Sequence, residues 1–167
     1  SLEEVNAAIE AALAVGLPAA SCMTFDTAAR SMMGVTPADF ASQSISFGAD
    51  YVGANCGIGP AELLHSVSGI MATASVPVIA KGNCGIPAYL DGAIHYHGTP
   101  ELMADYACLA RDAGVRIIGG CCGTTPDHVA AMRAALVSTP QRPFDQIHTR
   151  CDRWQCEFFD SIFTIFK

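Results

Sequence analysis

Two cysteines stand side by side in the stretch GGCCGTTP, residues 119–126, with two glycines before them and one after. A disulfide between Cys121 and Cys122 is disfavoured because neighbouring Cα atoms lie about 3.8 Å apart, whereas disulfides span about 4.4 to 6.8 Å. The pair is therefore predicted to be two thiols, available for metal binding or thiol chemistry. Two ordinary small apolar residues at a strand end are the alternative, since cysteine packs well in cores.

Similar polar groups follow other apolar runs of the chain. Asn55-Cys56 and Asn83-Cys84 each end such a run, as Cys121-Cys122 does. If the runs are parallel strands, these groups lie at strand carboxyl ends, where α/β proteins build active sites. Cys56, Cys121 and Cys122 brought together would offer zinc three thiolates. The fourth position would stay open to water or substrate, as in a catalytic zinc site.

Glycines around the cysteine pair would allow both thiols to reach one ion. Successive strand residues point to opposite faces of a sheet, so the backbone must turn sharply between or around the two cysteines. Gly119, Gly120 and Gly123 are predicted to permit that turn.

Four apolar strands are predicted to alternate with helices. Three helices open on Thr-Pro pairs, in which the threonine suits the N-cap and the proline the first helical position. The predicted elements are helices 3–15, 37–47, 60–74, 100–113 and 126–137 and strands 17–25, 49–56, 76–84 and 115–122. This alternation is typical of a parallel sheet with helical crossovers, either doubly wound or part of an eight-stranded barrel. Three thiol-bearing strand ends that converge favour the barrel, because its strand ends face one axis.

Composition indicates a compact globular protein. The chain has 167 residues, of which 51% are hydrophobic and 15% charged, enough for one sizeable core. A net charge of −7 offers no basic surface, so nucleic acid is not an expected partner. No long apolar run or signal-peptide pattern is found, which leads us to expect a cytoplasmic protein without membrane association. In that compartment the eight cysteines suit metal binding or thiol chemistry better than disulfides.

The motifs GANC, residues 53–56, and GGCCGTTPDH, residues 119–128, resemble the zinc-binding signatures of the homocysteine S-methyltransferase family. Their order and spacing match as well. The intervening VIAKGNCGIP and IHYHGTPELMADY resemble most closely the bacterial betaine-homocysteine methyltransferase branch. The resemblance covers about residues 1–137 and implies a (β/α)8 barrel.

The resemblance implies that Cys56, Cys121 and Cys122 bind zinc and that Asn55 shapes the strand end at the substrate site. Homocysteine would enter the open position as a thiolate, because a thiol bound to zinc loses its proton. Its sulfur would take a methyl group from betaine, giving methionine and dimethylglycine. S-methylmethionine and methyl-cobalamin are the alternative donors.

A complete barrel needs about 250 residues, so this chain is expected to be its C-terminal half, residues 1–140. Groups that would hold the homocysteine amino group and the donor are expected in the other half. The isolated chain could therefore be a catalytically silent zinc-binding half barrel. Exposed sheet edges predict a homo-oligomer.

Residues 141–167 form an aromatic-rich tail of uncertain origin. It could serve subunit contacts, cover open strand edges or be a foreign segment. Cys151 and Cys156 within it are a weak candidate for a metal pair, since no further ligands lie nearby.

Other candidate residues have simpler interpretations. Cys84 could be a reserve ligand, although a thiol in a loop or pocket wall is favoured, and Cys22 and Cys108 are expected in the core. His95 and His97 follow the third strand in a long segment, where a role beside the substrate is the alternative to a plain loop. His128 is expected to cap a helix or lie on the surface rather than support the metal ligands. His65 and Met71 fit a helix face.

Overall fold

A computed structural model of the chain describes residues 1–142. The five helices of this part are α1 Leu2–Ala14, α2 Pro37–Ser46, α3 Pro60–Met71, α4 Pro100–Asp112 and α5 Pro126–Ser138. The six strands are β1 Ala20–Met23, β2 Tyr51–Cys56, β3 Val78–Gly82, β4 Ala88–Leu90, β5 Ala93–His95 and β6 Ile117–Gly120. The tail was predicted over residues 141–167, and its residues 143–167, with Cys151 and Cys156, lie outside the described part of the chain.

Four strands form one parallel sheet in the order β1-β2-β3-β6. A helix follows each strand, so the predicted alternation of parallel strands and helices is confirmed. β3 lies between β2 and β6, and its last residue pairs with Cys56 on one side and Gly120 on the other. Both strands that carry the predicted cysteines therefore end at the same edge of the sheet.

Helices α2 and α4 begin where the sequence predicts because threonine side chains cap them. The hydroxyl of Thr36 accepts the Asp39 N–H at 3.1 Å, and the hydroxyl of Thr99 accepts the Leu102 N–H at 3.3 Å. Proline follows each threonine at the first helical position, where its missing N–H costs no hydrogen bond.

The core lies between the sheet and the helices. Alternate residues of the central strands, among them Val52, Ala54 and Ala80, are fully buried. They belong to one cluster with side chains of the helices, including Phe40 of α2, Val67 and Ile70 of α3, and Met103 and Tyr106 of α4. This apolar layer fixes the strand ends, and the site is built on them.

The long segment after β3 contains structure that the sequence reading did not predict. Strands β4 and β5 pair antiparallel around Asp91 and Gly92, whose φ angles are +49° and +83°. Two successive positive φ values are typical of the tight type I′ hairpin turn, for which Asp-Gly is a preferred sequence. His95 ends this hairpin and His97 follows it, and both side chains are exposed.

An ion-pair cluster holds the end of α5 against α4. Asp112 is buried and pairs with the guanidinium groups of Arg111 and Arg142, each at 2.8 Å. Arg111 also donates to the carbonyl oxygens of Leu136 and Thr139.

None of the helices within residues 1–142 combines the length and the apolar character needed to cross a bilayer.

Candidate metal centre

Three cysteine sulfurs meet at the carboxyl end of the sheet. The Sγ atom of Cys56, at the end of β2, lies 2.9 Å from that of Cys121 and 4.0 Å from that of Cys122, just after β6. The sulfurs of Cys121 and Cys122 are also 4.0 Å apart. These are the three predicted metal ligands, and within residues 1–142 they form the one cluster of cysteine, histidine or carboxylate groups close enough to share a metal ion.

Special backbone conformations aim the three sulfurs. Cys56 has a φ of +59°, in the left-handed region that residues with a side chain seldom adopt. A turn from Cys121 to Thr124, closed by the Thr124 N–H and the Cys121 carbonyl at 3.2 Å, follows β6. Strained backbone of this kind is concentrated at functional sites.

The expected role of the three glycines is only partly correct. Gly123 takes the left-handed conformation that the turn requires, with a φ of +78°. Gly119 and Gly120 instead continue β6 as extended residues. At Gly120 a side chain would collide with Thr124, so this glycine permits close approach rather than a turn. The turn begins at Cys121 and includes Cys122, and the cysteine pair itself lies beyond the end of the strand.

Asn55 lies beside the cluster, and its side-chain Nδ2 donates a hydrogen bond to Cys56 Sγ at 3.2 Å. It is half-buried, next to the first cysteine. An amide that donates to sulfur favours the thiolate form of that sulfur.

Contact between the Cys56 and Cys121 thiols moves their pKa values in opposite directions in the absence of metal. Burial and the hydrogen bond to Cys121 raise the pKa of Cys56 to about 12. Burial acts in the same direction on Cys121, but hydrogen bonds from Cys56 and Cys122 outweigh it and hold the pKa of Cys121 below its ordinary value. The first proton therefore leaves Cys121, and the Cys56 thiol donates to the resulting thiolate.

The donor set suits zinc. Three thiolates are ligands that zinc prefers, and sulfurs at 2.3 Å in a regular tetrahedron lie about 3.8 Å apart. Two of the three sulfur separations, at 4.0 Å, are close to this value, and the third is shorter. Cys122 is exposed, so a fourth ligand can approach from solvent. The described residues thus offer three protein ligands and one accessible side.

Most other cysteines and histidines lie away from the cluster. Cys84 is fully buried in the loop after β3, its sulfur lies 3.4 Å from the Thr124 hydroxyl, and it does not belong to the cluster of three sulfurs. Cys22 and Cys108 are half-buried, which makes their expected core placement only partly correct.

His128 caps α5, as the sequence predicts, but it is buried rather than exposed. Its Nδ1 accepts the Thr125 N–H at 3.1 Å, which leaves the protonated Nε2 to donate to the Gly98 carbonyl at 3.1 Å. The histidine thereby joins α5 to the segment that follows the hairpin.

Two residues near the cluster were missed by the sequence reading. The ring of Tyr96 lies directly against Gly123, where a Cβ atom would meet it, and its hydroxyl interacts with the Cys122 thiol. Lys81 lies between Asn55 and Gly119 in the sheet register, and its charge acts on the Cys22 thiol. Alternation along β3 could have placed Lys81 on the Asn55 face, but the fold of the hairpin alone positions Tyr96.

The chain is similar in sequence to known proteins. The sequence model described as homocysteine S-methyltransferase matches residues 1–136. Methionine synthase of Mycobacterium leprae is 36% identical over 90 residues, which are 53% of this chain and 8% of that protein. Methionine synthase of Mycobacterium tuberculosis is 35% identical over 101 residues, which are 60% of this chain and 8% of that protein.

Solved structures share the fold. The homocysteine methyltransferase MmuM from Escherichia coli in its oxidized form superposes with a TM-score of 0.63 at 24% identity, over 80% of this chain and 42% of that one. The metallated form of the same enzyme gives a TM-score of 0.59 at 24% identity, over 80% of this chain and 41% of that one. The chain thus has the α/β architecture of half a barrel and spans less than half the length of these structures. A family match over residues 1–136 shows that the chain belongs to the homocysteine S-methyltransferase family.

Proposed function

We propose that this chain holds the zinc ion of a homocysteine S-methyltransferase through Cys56, Cys121 and Cys122. The convergence of three sulfurs from two strand ends is the observation that carries the proposal. When bound, zinc would keep the homocysteine sulfur as a thiolate at neutral pH, and three protein thiolates around the ion would leave that sulfur electron-rich.

The chain's own residues hold and orient the reacting groups. Asn55 donates to the Cys56 sulfur and favours its ionised form, and as the neighbour of that ligand it would also contact homocysteine. Lys81, on the next strand in register with Asn55, offers a positive charge to the carboxylate that homocysteine and betaine both carry. These groups position the substrate sulfur for attack without a general base from the protein.

The reaction is a displacement at a methyl carbon. The homocysteine sulfur forms a bond to the methyl carbon of betaine as the carbon–nitrogen bond breaks. The electron pair of that bond remains on nitrogen, and the products are methionine and neutral-amine dimethylglycine. Alignment of sulfur, carbon and nitrogen supplies several kcal/mol of the rate enhancement, of the order expected for well-oriented reactants.

Betaine is the proposed donor on the basis of the VIAKGNCGIP and IHYHGTPELMADY segments. Another methyl donor is the second candidate, and the relatives named methionine synthase favour it. A direct comparison decides between them. Methionine formation by a complete barrel that contains residues 1–140 would be measured with labelled betaine, S-methylmethionine and methyl-cobalamin at equal concentrations. Turnover with betaine alone supports the first proposal, and turnover with either other donor overturns it.

The division of the site between two halves of a barrel is also a proposal. Residues 1–140 would supply the metal, and the remaining half would supply the groups that bind the homocysteine amino group and the donor. The chain alone should then bind zinc but form little methionine. A complete barrel that contains these residues should be active and should lose activity when the three cysteines become serine. Robust turnover by the 167 residues alone would contradict this division, and activity without the cysteines would contradict the metal site.

Two further proposals concern the state of the chain. β1 and β6 each have one partner strand within the described sheet, so we propose that the chain self-associates through these edges. Light scattering would test this, and a monomer at every concentration would contradict it.

A cytoplasmic location is proposed because the six described cysteines are free thiols, as expected in a reducing compartment.

A further inference from the structure

Asn83 connects the two loops that carry the cysteine ligands. It follows β3 directly and is buried, with 7% of its surface exposed. Its Nδ2 donates to the Gly57 carbonyl at 2.8 Å, and its Oδ1 accepts the Cys122 N–H at 2.9 Å. Gly57 follows Cys56, so one side chain is bonded to the backbone beside one ligand and to the backbone of another.

The position of Asn83 makes this connection important. β3 separates the strands that lead to Cys56 and Cys121, so those strands share no ladder hydrogen bonds near the cysteines. On the β6 side, backbone bonds already tie the chain to β3, through Cys121 N–H to the Gly82 carbonyl and Cys84 N–H to the Cys122 carbonyl. Asn83 extends this link across to the loop after β2.

Only an amide of this size satisfies both partners. A carboxamide presents a donor and an acceptor on one rigid plane. Aspartate at the same position could accept the Cys122 N–H but would set an oxygen against the Gly57 carbonyl. Leucine has similar volume and would leave both backbone groups unpaired in a buried place, which is costly.

We propose that Asn83 is a positioning residue that sets the separation of the Cys56 and Cys122 sulfurs and thereby the affinity of the site for metal. This inference rests on the proposed metal site. It adds a residue that binds neither metal nor substrate and acts through the backbone of the two ligand loops. Groups that orient metal ligands in this way typically change affinity 10- to 100-fold when replaced.

Three variants separate positioning from general stability. Asn83→Asp keeps the acceptor and loses the donor, and Asn83→Leu loses both. Asn6→Asp is the matched control, because Asn6 is equally buried at 7%, lies in α1, and has an Oδ1 without a hydrogen-bond partner in the described part of the chain. Urea unfolding of each metal-free variant would record its stability.

Cobalt binding supplies the first measurement. Co²⁺ titration in competition with a chelator gives the affinity, and the sulfur-to-cobalt absorption bands report the ligand geometry. We expect about 10- to 100-fold weaker binding and altered bands for both Asn83 variants, and wild-type behaviour for Asn6→Asp. Wild-type affinity and bands in both Asn83 variants would overturn the positioning role of Asn83 and leave the metal site itself intact. A loss of affinity in Asn6→Asp equal to that in Asn83→Asp would also overturn it. Failure of the wild-type chain to bind Co²⁺ or Zn²⁺ would instead overturn the metal site on which the inference rests.

Amide hydrogen exchange in the metal-free chain supplies the second measurement. The Cys122 N–H should be protected in the wild type and in Asn83→Asp, which both retain the acceptor. It should exchange faster in Asn83→Leu. Unchanged protection in Asn83→Leu would show that the bond does not hold the loop. Faster exchange with unchanged metal affinity would show a purely structural contact, and either result overturns the proposal.

Discussion

The sulfur of Cys56 lies 2.9 Å from the sulfur of Cys121, although 65 residues separate the two cysteines in the chain. The helices α3 and α4, the strands β3 and β6 and the β4–β5 hairpin lie between them in the chain, and β3 separates their two strands in the sheet. The contact therefore depends on the packed sheet and not on local sequence. Any property of the cluster that requires both sulfurs is a property of the folded chain.

Metal content provides the most direct prediction. The chain purified under reducing conditions should bind about one zinc ion, because three thiolates at the carboxyl end of the sheet form a tight site. Cys121→Ser should lower the affinity by at least about tenfold, since it removes one of three thiolates. Cys108→Ser is the matched control, as Cys108 lies in α4 outside the cluster. Elemental analysis after dialysis measures the outcome, and equal zinc in both variants would contradict the prediction.

Alkylation should distinguish Cys121 from Cys56 in the metal-free chain. The lowered pKa of Cys121 gives it a larger thiolate fraction than an ordinary cysteine at the same pH, whereas the pKa of Cys56, about 12, keeps that thiol protonated. Iodoacetamide should therefore modify Cys121 first, and its rate should level off at a pH below the ordinary thiol range. Fragment mass spectrometry would locate the label. Equal rates at the two sites would contradict the coupling, and zinc should protect both.

Features that depend on residues close together in the sequence could be predicted, and features that depend on distant residues could not. The four parallel strands and the Thr-Pro helix starts depend on local patterns, namely apolar runs bounded by glycine and proline, and both were predicted. The three cysteines were identified through adjacent residues and a family resemblance. Asn83 was seen in the sequence, but its bonds to Gly57 and Cys122 join groups 26 and 39 residues away and have no local signal.

The hairpin β4–β5 illustrates a different limit. Its turn residues Asp91 and Gly92 are a recognisable hairpin signal, yet each strand has only three residues. Exposed side chains such as Tyr89 and Ile94 give no alternation of apolar and polar residues. The sequence pattern therefore predicts a loop here and does not place Tyr96 beside the cysteines.

Tyr106 should stabilise the sheet beneath the site. Its buried hydroxyl accepts the Gly82 N–H at 3.3 Å and donates to the Gly119 carbonyl at 3.4 Å, so it joins the ends of β3 and β6. Tyr106→Phe should lower the free energy of unfolding by about 1 to 3 kcal/mol, because both backbone groups lose a partner. Tyr89→Phe is the matched control, since Tyr89 is 75% exposed. Urea denaturation measures both variants, and equal midpoints would contradict the role of the hydroxyl.

The buried carboxylate of Asp112 should stabilise the packing of α5 against α4. Asp112→Ala removes the partner of Arg111 and of Arg142. Loss of one member of a buried ion pair typically costs about 3 to 5 kcal/mol, and the exposure of Arg142 places the expected loss at the lower end. Thermal unfolding would measure it. Asp105→Ala, an exposed change on the same helix, should have little effect, and comparable destabilisation by both would contradict the prediction.

Gly123 should be required for the position of Cys122. Gly123→Ala imposes a side chain on a residue with a φ of +78° and drives its Cβ into the ring of Tyr96. The backbone strain alone costs about 1 to 2 kcal/mol, and the collision should displace the turn and weaken zinc binding. Gly92→Ala separates these effects, because Gly92 has a φ of +83° but open space around it. That control should lose stability and retain zinc affinity.

In the double variant Gly123→Ala/Tyr96→Ala the collision is gone, so part of the zinc affinity should return. The difference between the double variant and the sum of the single variants measures the contact. Equal zinc affinity in Gly123→Ala and Gly92→Ala would show that the packing of Tyr96 against the turn does not position Cys122.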